Sequence, residues 1–371
     1  VQGSLYGQDR RCRGRENFSC HPAGKRSDNR GVGLPSAPGG KGLTDMTTPY
    51  LTLHIRQTGI LAAVNGTAAS PVNPAHRVWI DFTDIEVSEE ASRFEAAVNL
   101  AAEQLDLTDC KDAILLFSSS AFFYRLSCLP FRSRTKIRQV LPLELATAMP
   151  MDNEPFSTEF NVLPSKRADG SCPVFSASIP SQELDSVIQA IEGINIRPAA
   201  ASPVSSVVLA AFLKEHADAA DFLFIDLAED ELTLVLVTDR CPALTRTFNA
   251  GAGPVDGFLE TLEQTVTGFR HRHGFNDRLD LVIARSRDNS HPAEQVLAGV
   301  KTRPHIQAGR EQLSSVPPSP DQVVDREALL MQYRPDRDYP NLLNFCRDSY
   351  GPGSFFKTFQ KEIITTGSLA L

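Results

Sequence analysis

Hydrophobic and polar residues alternate along the chain in a way that predicts the same order of elements twice. The first copy has three strands, in YLTLHIRQ, TGILAAVNG and HRVWIDFT, then a helix in SEEASRFEAAVNLAAEQLDL and a buried strand in DAILLFSSS. The second copy has strands in DFLFIDLAE, ELTLVLVTD and PALTRTFNAG, a helix in GPVDGFLETLEQTVTGFRHRHG and a strand in LDLVIARS. A repeated βββαβ order predicts two like domains that face each other across a cleft.

A different pattern lies between the two copies, at residues 119–198. It predicts a strand that ends in a proline turn, AFFYRLSCLPF, and a helix, SRTKIRQVLPLELATAMP. Two strands, STEFNVLPSK and CPVFSASIP, and a second helix, SQELDSVIQAIEGI, follow. We therefore predict an α+β subdomain that is inserted between the repeated halves.

The charge and the cysteines exclude two classes of protein. The formal net charge is −8, and residues 1–45 carry eight Lys/Arg against four Asp/Glu, which leaves −12 on the remainder. We expect no nucleic-acid partner, because such a partner requires a basic surface that neutralises phosphates. The seven cysteines are scattered without a C-x-x-C pair, which favours a reducing compartment over a disulfide framework.

The inserted segment carries a resemblance to known proteins. LPFRSRTKIRQVLPLELATAMPMDNEPFSTEFNVL and SIPSQELDSVIQAIEGINIRPAAASPVSSVVLAAF resemble the corresponding segments of the PilM and GspL families. Those are actin-like cytoplasmic proteins of type IV pilus and type II secretion machines. The resemblance covers about residues 48–300. It implies an α/β chain with the actin-like ATPase (ribonuclease H-like) fold, in which two duplicated βββαβ domains carry an inserted α+β subdomain.

The resemblance and the composition together give the predicted domain boundaries. Residues 1–45, rich in Gly, Ser, Pro and Arg, are predicted to be a disordered extension, which we interpret as non-native because Met46 resembles a natural start. The first actin-like domain spans 46–118 and the inserted subdomain 119–198. Residues 199–310 hold the closing helix of the first domain and the second actin-like domain, and 311–341 form a Pro- and Ser-rich linker.

The final part of the chain, 342–371, predicts an attachment to a membrane. NLLNFCRDSYGPGSFFKTFQKEI is similar to the juxtamembrane stretch of secretion protein L. The closing IITTGSLAL is shorter than the roughly 20 apolar residues that cross a bilayer. We interpret it as the start of a transmembrane helix that is truncated at Leu371. The resemblance implies a location at the cytoplasmic face of the bacterial inner membrane.

An actin-like fold also implies a nucleotide site, and its hairpins can be compared residue by residue. In the first hairpin, LTLHIRQTG, His54 stands in the place of the metal-positioning aspartate and Arg56 in that of the first glycine. In the second hairpin, FLFIDLAEDELTLVLV, Asp226 and Thr233 remain, but Ala228 stands where glycine is expected. A side chain there hinders the approach of backbone N–H groups to a phosphate.

The rest of the implied site departs from the pattern as well. Three acidic residues, 229–231, crowd the second turn, and they repel a triphosphate unless a metal intervenes. LVIARSRDNS offers Ala284 and Arg285 in place of the two glycines that accept adenosine. GAGP at 251–254 is a weak candidate for an anion-binding turn.

These departures predict a vestigial nucleotide site at Asp226, Thr233 and Arg56, with no catalytic residue, no metal and no cofactor. Weak ATP binding through Arg56 or Arg285 stays open. No Walker loop, G-x-S-x-G or H-E-x-x-H motif indicates another enzyme.

Three hypotheses about function follow. The first is a non-enzymatic scaffold of the inner-membrane assembly platform, which couples a hexameric secretion or pilus ATPase to bitopic assembly proteins. The second is an active nucleotide-dependent ATPase, which would require a carboxylate in the first hairpin, whereas Asp81 lies on the third strand. The third is a soluble pilus adaptor of the PilM kind. A homodimer is compatible with all three.

Overall fold

The computed structural model describes the greater part of the chain. Its described residues are 49–65, 77–86, 90–147, 155–164, 170–219, 221–228, 231–249, 255–273, 280–285, 322–325, 330, 333, 339 and 341–346. They belong to one compact unit, Thr44–Leu371. The predicted extension at 1–45, the GAGP turn at 251–254 and the predicted membrane segment after 346 lie outside the described residues.

The described residues form thirteen strands and five α-helices. The strands are β1 (Tyr50–Ile55), β2 (Gly59–Asn65), β3 (Arg77–Asp81), β4 (Asp112–Phe117), β5 (Phe123–Leu129), β6 (Phe156–Val162), β7 (Cys172–Pro180), β8 (Arg197–Pro203), β9 (Phe222–Leu227), β10 (Glu231–Thr238), β11 (Cys241–Asn249), β12 (Asp280–Arg285) and β13 (Gln322–Asp325). The helices are α1 (Glu90–Gln104), α2 (Arg134–Ala146), α3 (Ser181–Gly193), α4 (Val204–Glu215) and α5 (Val255–His273).

Two five-stranded sheets share one topology. Their strand orders are β3-β2-β1-β4-β8 and β11-β10-β9-β12-β13. In each sheet the first three strands of the chain form an antiparallel meander, and the last two run parallel to the central strand. Because α1 precedes β4 and α5 precedes β12, the predicted βββαβ duplication is confirmed.

Each of these sheets ends in a strand that the hydrophobic pattern did not predict. β8 has the sequence RPAAASP, in which two prolines and a run of alanines give no alternation of polar and apolar positions. It nevertheless pairs with β4, and α3 before it packs against α1. β13 has only four residues, and it lies inside the stretch that the sequence predicts as a linker.

The third sheet belongs to the predicted α+β insertion. Its strand order is β5-β7-β6, with both pairs antiparallel, and α2 covers it. One narrow stripe of α2, Ile137, Leu141 and Leu145, is buried against Phe160 and Val174. This spacing of four residues is the predicted helical period.

Helix α4 lies between the two large sheets. Nine of its twelve residues are buried, as expected for a helix that is apolar all round. Its Phe212 packs with Ile114 of the first sheet and Phe224 of the second in one hydrophobic cluster. The two halves therefore share a core through this helix. No helix within the described ranges is both long and apolar enough to cross a bilayer.

Candidate functional site

The β1–β2 turn holds Arg56 at the carboxyl edge of the first sheet. The Arg56 N–H donates to the Gly59 carbonyl at 2.9 Å, and the guanidinium carbon lies 5.5 Å from the centre of the Trp79 ring. A Cβ on Gly59 would lie 2.3 Å from the Ile80 carbonyl oxygen, so β3 can approach only a glycine there.

A pocket of about 290 Å³ opens beside this turn. Arg56 and Arg93 line it together with Glu183 and with Ser118 and Ser120, which follow β4. The Arg93 guanidinium carbon lies 5.8 Å from the centre of the Phe82 ring. The pocket therefore has two cationic groups and one anionic group in its wall.

Asp226 and Thr233 lie together, but on the second sheet. They are register partners on β9 and β10, and both are buried. The Thr233 hydroxyl lies 3.3 Å from the Thr247 hydroxyl. Neither lines the Arg56 pocket in the described part of the chain. His54, in the place of the implied aspartate, is buried on β1 between β2 and β4.

Glu231, at the start of β10, reaches from the second sheet to the end of β4. Its carboxylate accepts the Ser119 N–H at 2.9 Å and the Ser120 N–H at 3.1 Å. Ser119 begins a 3-10 turn, Ser119–Ala121, directly after β4, and such a turn presents N–H groups that lack backbone acceptors. Both Glu231 and Ser119 are buried. An acidic side chain of the protein itself therefore satisfies two adjacent backbone donors.

Hydroxyl groups surround this contact. The Ser119 hydroxyl donates to the Ser205 hydroxyl at 2.7 Å and accepts the Ser205 N–H at 3.2 Å, at the start of α4. Burial and the nearby Glu231 carboxylate raise the pKa of Tyr124 well above its ordinary value, and the Asp226 carboxylate adds to this. Tyr124 is therefore a neutral phenol at physiological pH.

Two acidic side chains, Glu231 and Asp226, are buried near Tyr124. The Glu231 carboxylate already satisfies two N–H groups, and its charge repels a phosphate. Asp226 supplies a second buried carboxylate near Tyr124. Within the described ranges, no group of three or more His, Cys, Asp or Glu is placed to hold a metal ion.

A second candidate site is the groove that holds residues 341–346, which we call the docked segment. The Asn341 carbonyl accepts the Asn161 amide of β6 at 2.6 Å, and the Asn341 amide donates to the Arg240 carbonyl at 2.7 Å. The Asn344 Oδ1 accepts the Ala201 N–H of β8 at 3.1 Å. The docked segment therefore bonds to all three sheets or to the turns that join their strands.

The core of the docked segment is buried. Leu342, Leu343, Phe345 and Cys346 are all buried, and the Phe345 ring centre lies 5.3 Å from that of Phe122. The Phe345 N–H donates to the Ala201 carbonyl at 2.9 Å. Burial also raises the pKa of the Cys346 thiol to about 12. Residues 342–346, the described part of the predicted juxtamembrane segment, are packed into the body of the protein, and the remainder of that segment lies outside the described residues.

The β10–β11 turn forms one wall of the groove that holds the docked segment. Asp239 and Arg240 have φ of 50° and 63°, the left-handed conformation that a two-residue hairpin turn requires. The Arg240 guanidinium donates to the His216 carbonyl at 2.8 Å, which satisfies a carbonyl at the end of α4. Asn341 has φ of 60°, a conformation that asparagine tolerates better than most residues.

Two functional features escaped the sequence analysis. Glu231 appeared there as one of three repelling carboxylates, and nothing marked Ser119 and Ser120 as its partners. The docked segment did carry a signal, the apolar run NLLNF, but the pattern was equally compatible with a membrane flank.

Comparison with known proteins identifies the fold. No protein-family model matches the sequence, and no curated protein matches it. Among solved structures, the chain is similar to one described as the PilM-PilN type IV pilus biogenesis complex. The two are 12% identical, the match covers 76% of this chain and 89% of that chain, and the TM-score is 0.54.

Two further structures are similar at lower scores. A protein of Bacteroides thetaiotaomicron with an actin-like ATPase fold and unknown function is 11% identical, with 79% and 100% of the two chains covered and a TM-score of 0.49. The cytoplasmic domain of EpsL, an inner membrane component of the type II secretion system of Vibrio cholerae, is 12% identical, with 69% and 95% covered and a TM-score of 0.41. The duplicated sheet topology and the likeness to the PilM structure establish the predicted actin-like fold.

Proposed function

We propose that this chain is a non-enzymatic actin-like scaffold of a type II secretion or type IV pilus inner-membrane platform. It couples the hexameric ATPase of the machine to bitopic membrane proteins. The observation that carries the proposal is the Glu231 carboxylate at the Ser119 and Ser120 N–H groups. A side chain of the protein occupies donors at the end of β4, and its negative charge disfavours a phosphate there.

The first hairpin supports the absence of catalysis. Phosphoryl transfer requires a metal that bridges phosphate oxygens and a carboxylate that holds it. In this hairpin His54 is buried inside the sheet, and Arg56 occupies the turn. Asp226 lies on β9, where the implied aspartate is expected, and its register partner on β10 is Thr233. The vestigial residues Asp226, Thr233 and Arg56 are therefore structural in this proposal, with no nucleotide or metal cofactor.

The docked segment supports the role of a scaffold. It bonds β6, β8 and the β10–β11 turn together. The chain beyond residue 346 thus continues from a point fixed to every sheet. A force applied at residue 346 would therefore be transmitted to the whole body rather than to one domain. This suits a protein at the cytoplasmic face of the inner membrane that receives force from an ATPase.

The likeness to the PilM structure supports a membrane-assembly partner. That structure is described as a complex with PilN in type IV pilus biogenesis. We propose a bitopic protein of the same general kind as a partner of this chain. The same likeness favours a pilus adaptor as the second candidate function. The two candidate functions are distinguished by whether the chain binds the ATPase of a secretion system or that of a pilus system.

The test combines the full chain with the hexameric ATPase of each machine from the same bacterium. We expect the chain to form a complex with one of the two ATPases, detected by sedimentation velocity. All ATP turnover in the mixture should disappear when the Walker lysine of the ATPase is replaced by alanine. Turnover that survives this substitution, or the absence of any complex with either ATPase, would contradict the proposal.

A further inference from the structure

The two large sheets are joined by a contact other than the shared helix. Glu231 belongs to β10 of the second sheet, whereas Ser119 and Ser120 follow β4 of the first. We propose that the Glu231 carboxylate is an internal latch that holds the two halves closed without any ligand. The protein then keeps one arrangement in both the presence and the absence of nucleotide.

The hydrogen bonds of the Glu231 carboxylate are charge-assisted and buried, as a latch requires. A carboxylate that accepts backbone N–H groups forms charge-assisted hydrogen bonds, which are about twice as strong as neutral ones. Glu231 is 3% exposed and Ser119 is 0% exposed, so water does not replace either partner while the halves remain closed. Separating the two halves would expose a carboxylate and two N–H groups that are paired in this structure.

The surroundings hold the latch in one geometry. The Ser119 hydroxyl bonds with both the hydroxyl and the N–H of Ser205, and Ser205 lies in the first turn of α4. The receiving turn is thereby tied to the helix that both sheets share. On the other side of the contact, Ala228 N–H donates to the Glu231 carbonyl at 2.9 Å, which fixes the backbone of the latch residue itself.

The latch adds a mechanical property to the proposed scaffold but does not depend on it. In hinge-type proteins a ligand between two domains shifts the population towards the closed form. Here a side chain of the protein makes the contact, so the closed form needs no ligand. A platform protein with this property would transmit force without opening.

Hydrogen exchange of the Ser119 and Ser120 amides tests the latch in the full chain. In the unaltered protein we expect both amides to exchange as slowly as those of β4, since opening is required to free them. In E231A they should exchange at least about tenfold faster, which corresponds to one lost hydrogen bond to a charged group. E231Q should lie between the two, because its single amide oxygen still accepts one of the two N–H groups, whereas its NH2 group cannot accept the other.

The control is E260A, which removes an exposed carboxylate of α5 and should leave both rates unchanged. Fast exchange of the two amides in the unaltered protein would refute the latch without any variant. Equal rates in E231Q and the unaltered protein would also refute it. ATP turnover by the chain would contradict the proposed function, whereas slow exchange of the two amides measured without nucleotide would still support the latch.

Discussion

Replacing Asn344 with alanine should release the docked segment. The Asn344 Oδ1 accepts two N–H groups, that of Ala201 at 3.1 Å and that of Cys346 at 2.9 Å. Asn344 is 7% exposed and Ala201 is 0% exposed, so water cannot easily replace the lost acceptor. A buried donor left without a partner costs about 1–3 kcal/mol. The two unpaired N–H groups together should weaken docking of the segment by at least about 2 kcal/mol, which is a roughly thirtyfold change in the equilibrium constant between docked and open forms.

The Cys346 thiol reports this release. It is 3% exposed, and burial raises its pKa to about 12, so a thiol reagent at pH 8 modifies it only when the segment opens. When reclosing is faster than modification, the rate follows the population of the open form. Iodoacetamide labelling, resolved by peptide mass spectrometry, should therefore be about thirtyfold faster at Cys346 in N344A.

The matched control is N99A, which removes the same side chain from an exposed position on α1. Its Cys346 should be labelled at the rate of the unaltered protein. The half-buried Cys128 provides an internal reference within each sample. If Cys346 in N344A is labelled within twofold of the rate in the unaltered protein, the hydrogen bonds of Asn344 do not keep the docked segment in place.

Three further substitutions test the packing of the insertion and of the first sheet. L141A removes a fully buried side chain of α2 and should lower the free energy of unfolding of the inserted subdomain by about 2–5 kcal/mol, measured by urea denaturation. L143A, at a position that is 69% exposed, should change it by less than about 0.5 kcal/mol. G59A places a Cβ 2.3 Å from the Ile80 carbonyl oxygen. It should lower the free energy of unfolding by about 1–3 kcal/mol, which corresponds to a melting temperature lower by several degrees. An unchanged melting temperature would show that β3 can move away from the added Cβ.

The two βββαβ copies were predictable from the sequence because their strands and helices have their own hydrophobic periods. β1, β2 and β4 are nearly continuous apolar strands, and α1 has one apolar face, so local sequence alone determines their type. β8 was not predictable, because RPAAASP has no period and takes its conformation from pairing with β4. Tertiary context overrides weak local preference at such positions.

The candidate site was less predictable than the fold, because its contacts join residues that are distant in the sequence. Glu231 and Ser119 are 112 positions apart, and no pattern in either segment indicates the other. Asn344 and Ala201 are 143 positions apart. The sequence analysis interpreted NLLNF as part of a juxtamembrane stretch, because hydropathy alone does not distinguish a buried segment of a protein from the edge of a bilayer.

We propose that the chain neither binds nor hydrolyses nucleotide. Titration of the full chain with Mg-ATP by isothermal calorimetry, with phosphate release followed in parallel, tests it most directly. We expect no saturable heat up to high micromolar nucleotide and no phosphate release above a buffer blank, because Glu231 occupies the Ser119 and Ser120 donors. Saturable binding of Mg-ATP would contradict this expectation, and phosphate release that is lost in D226N would in addition establish the chain as an active ATPase.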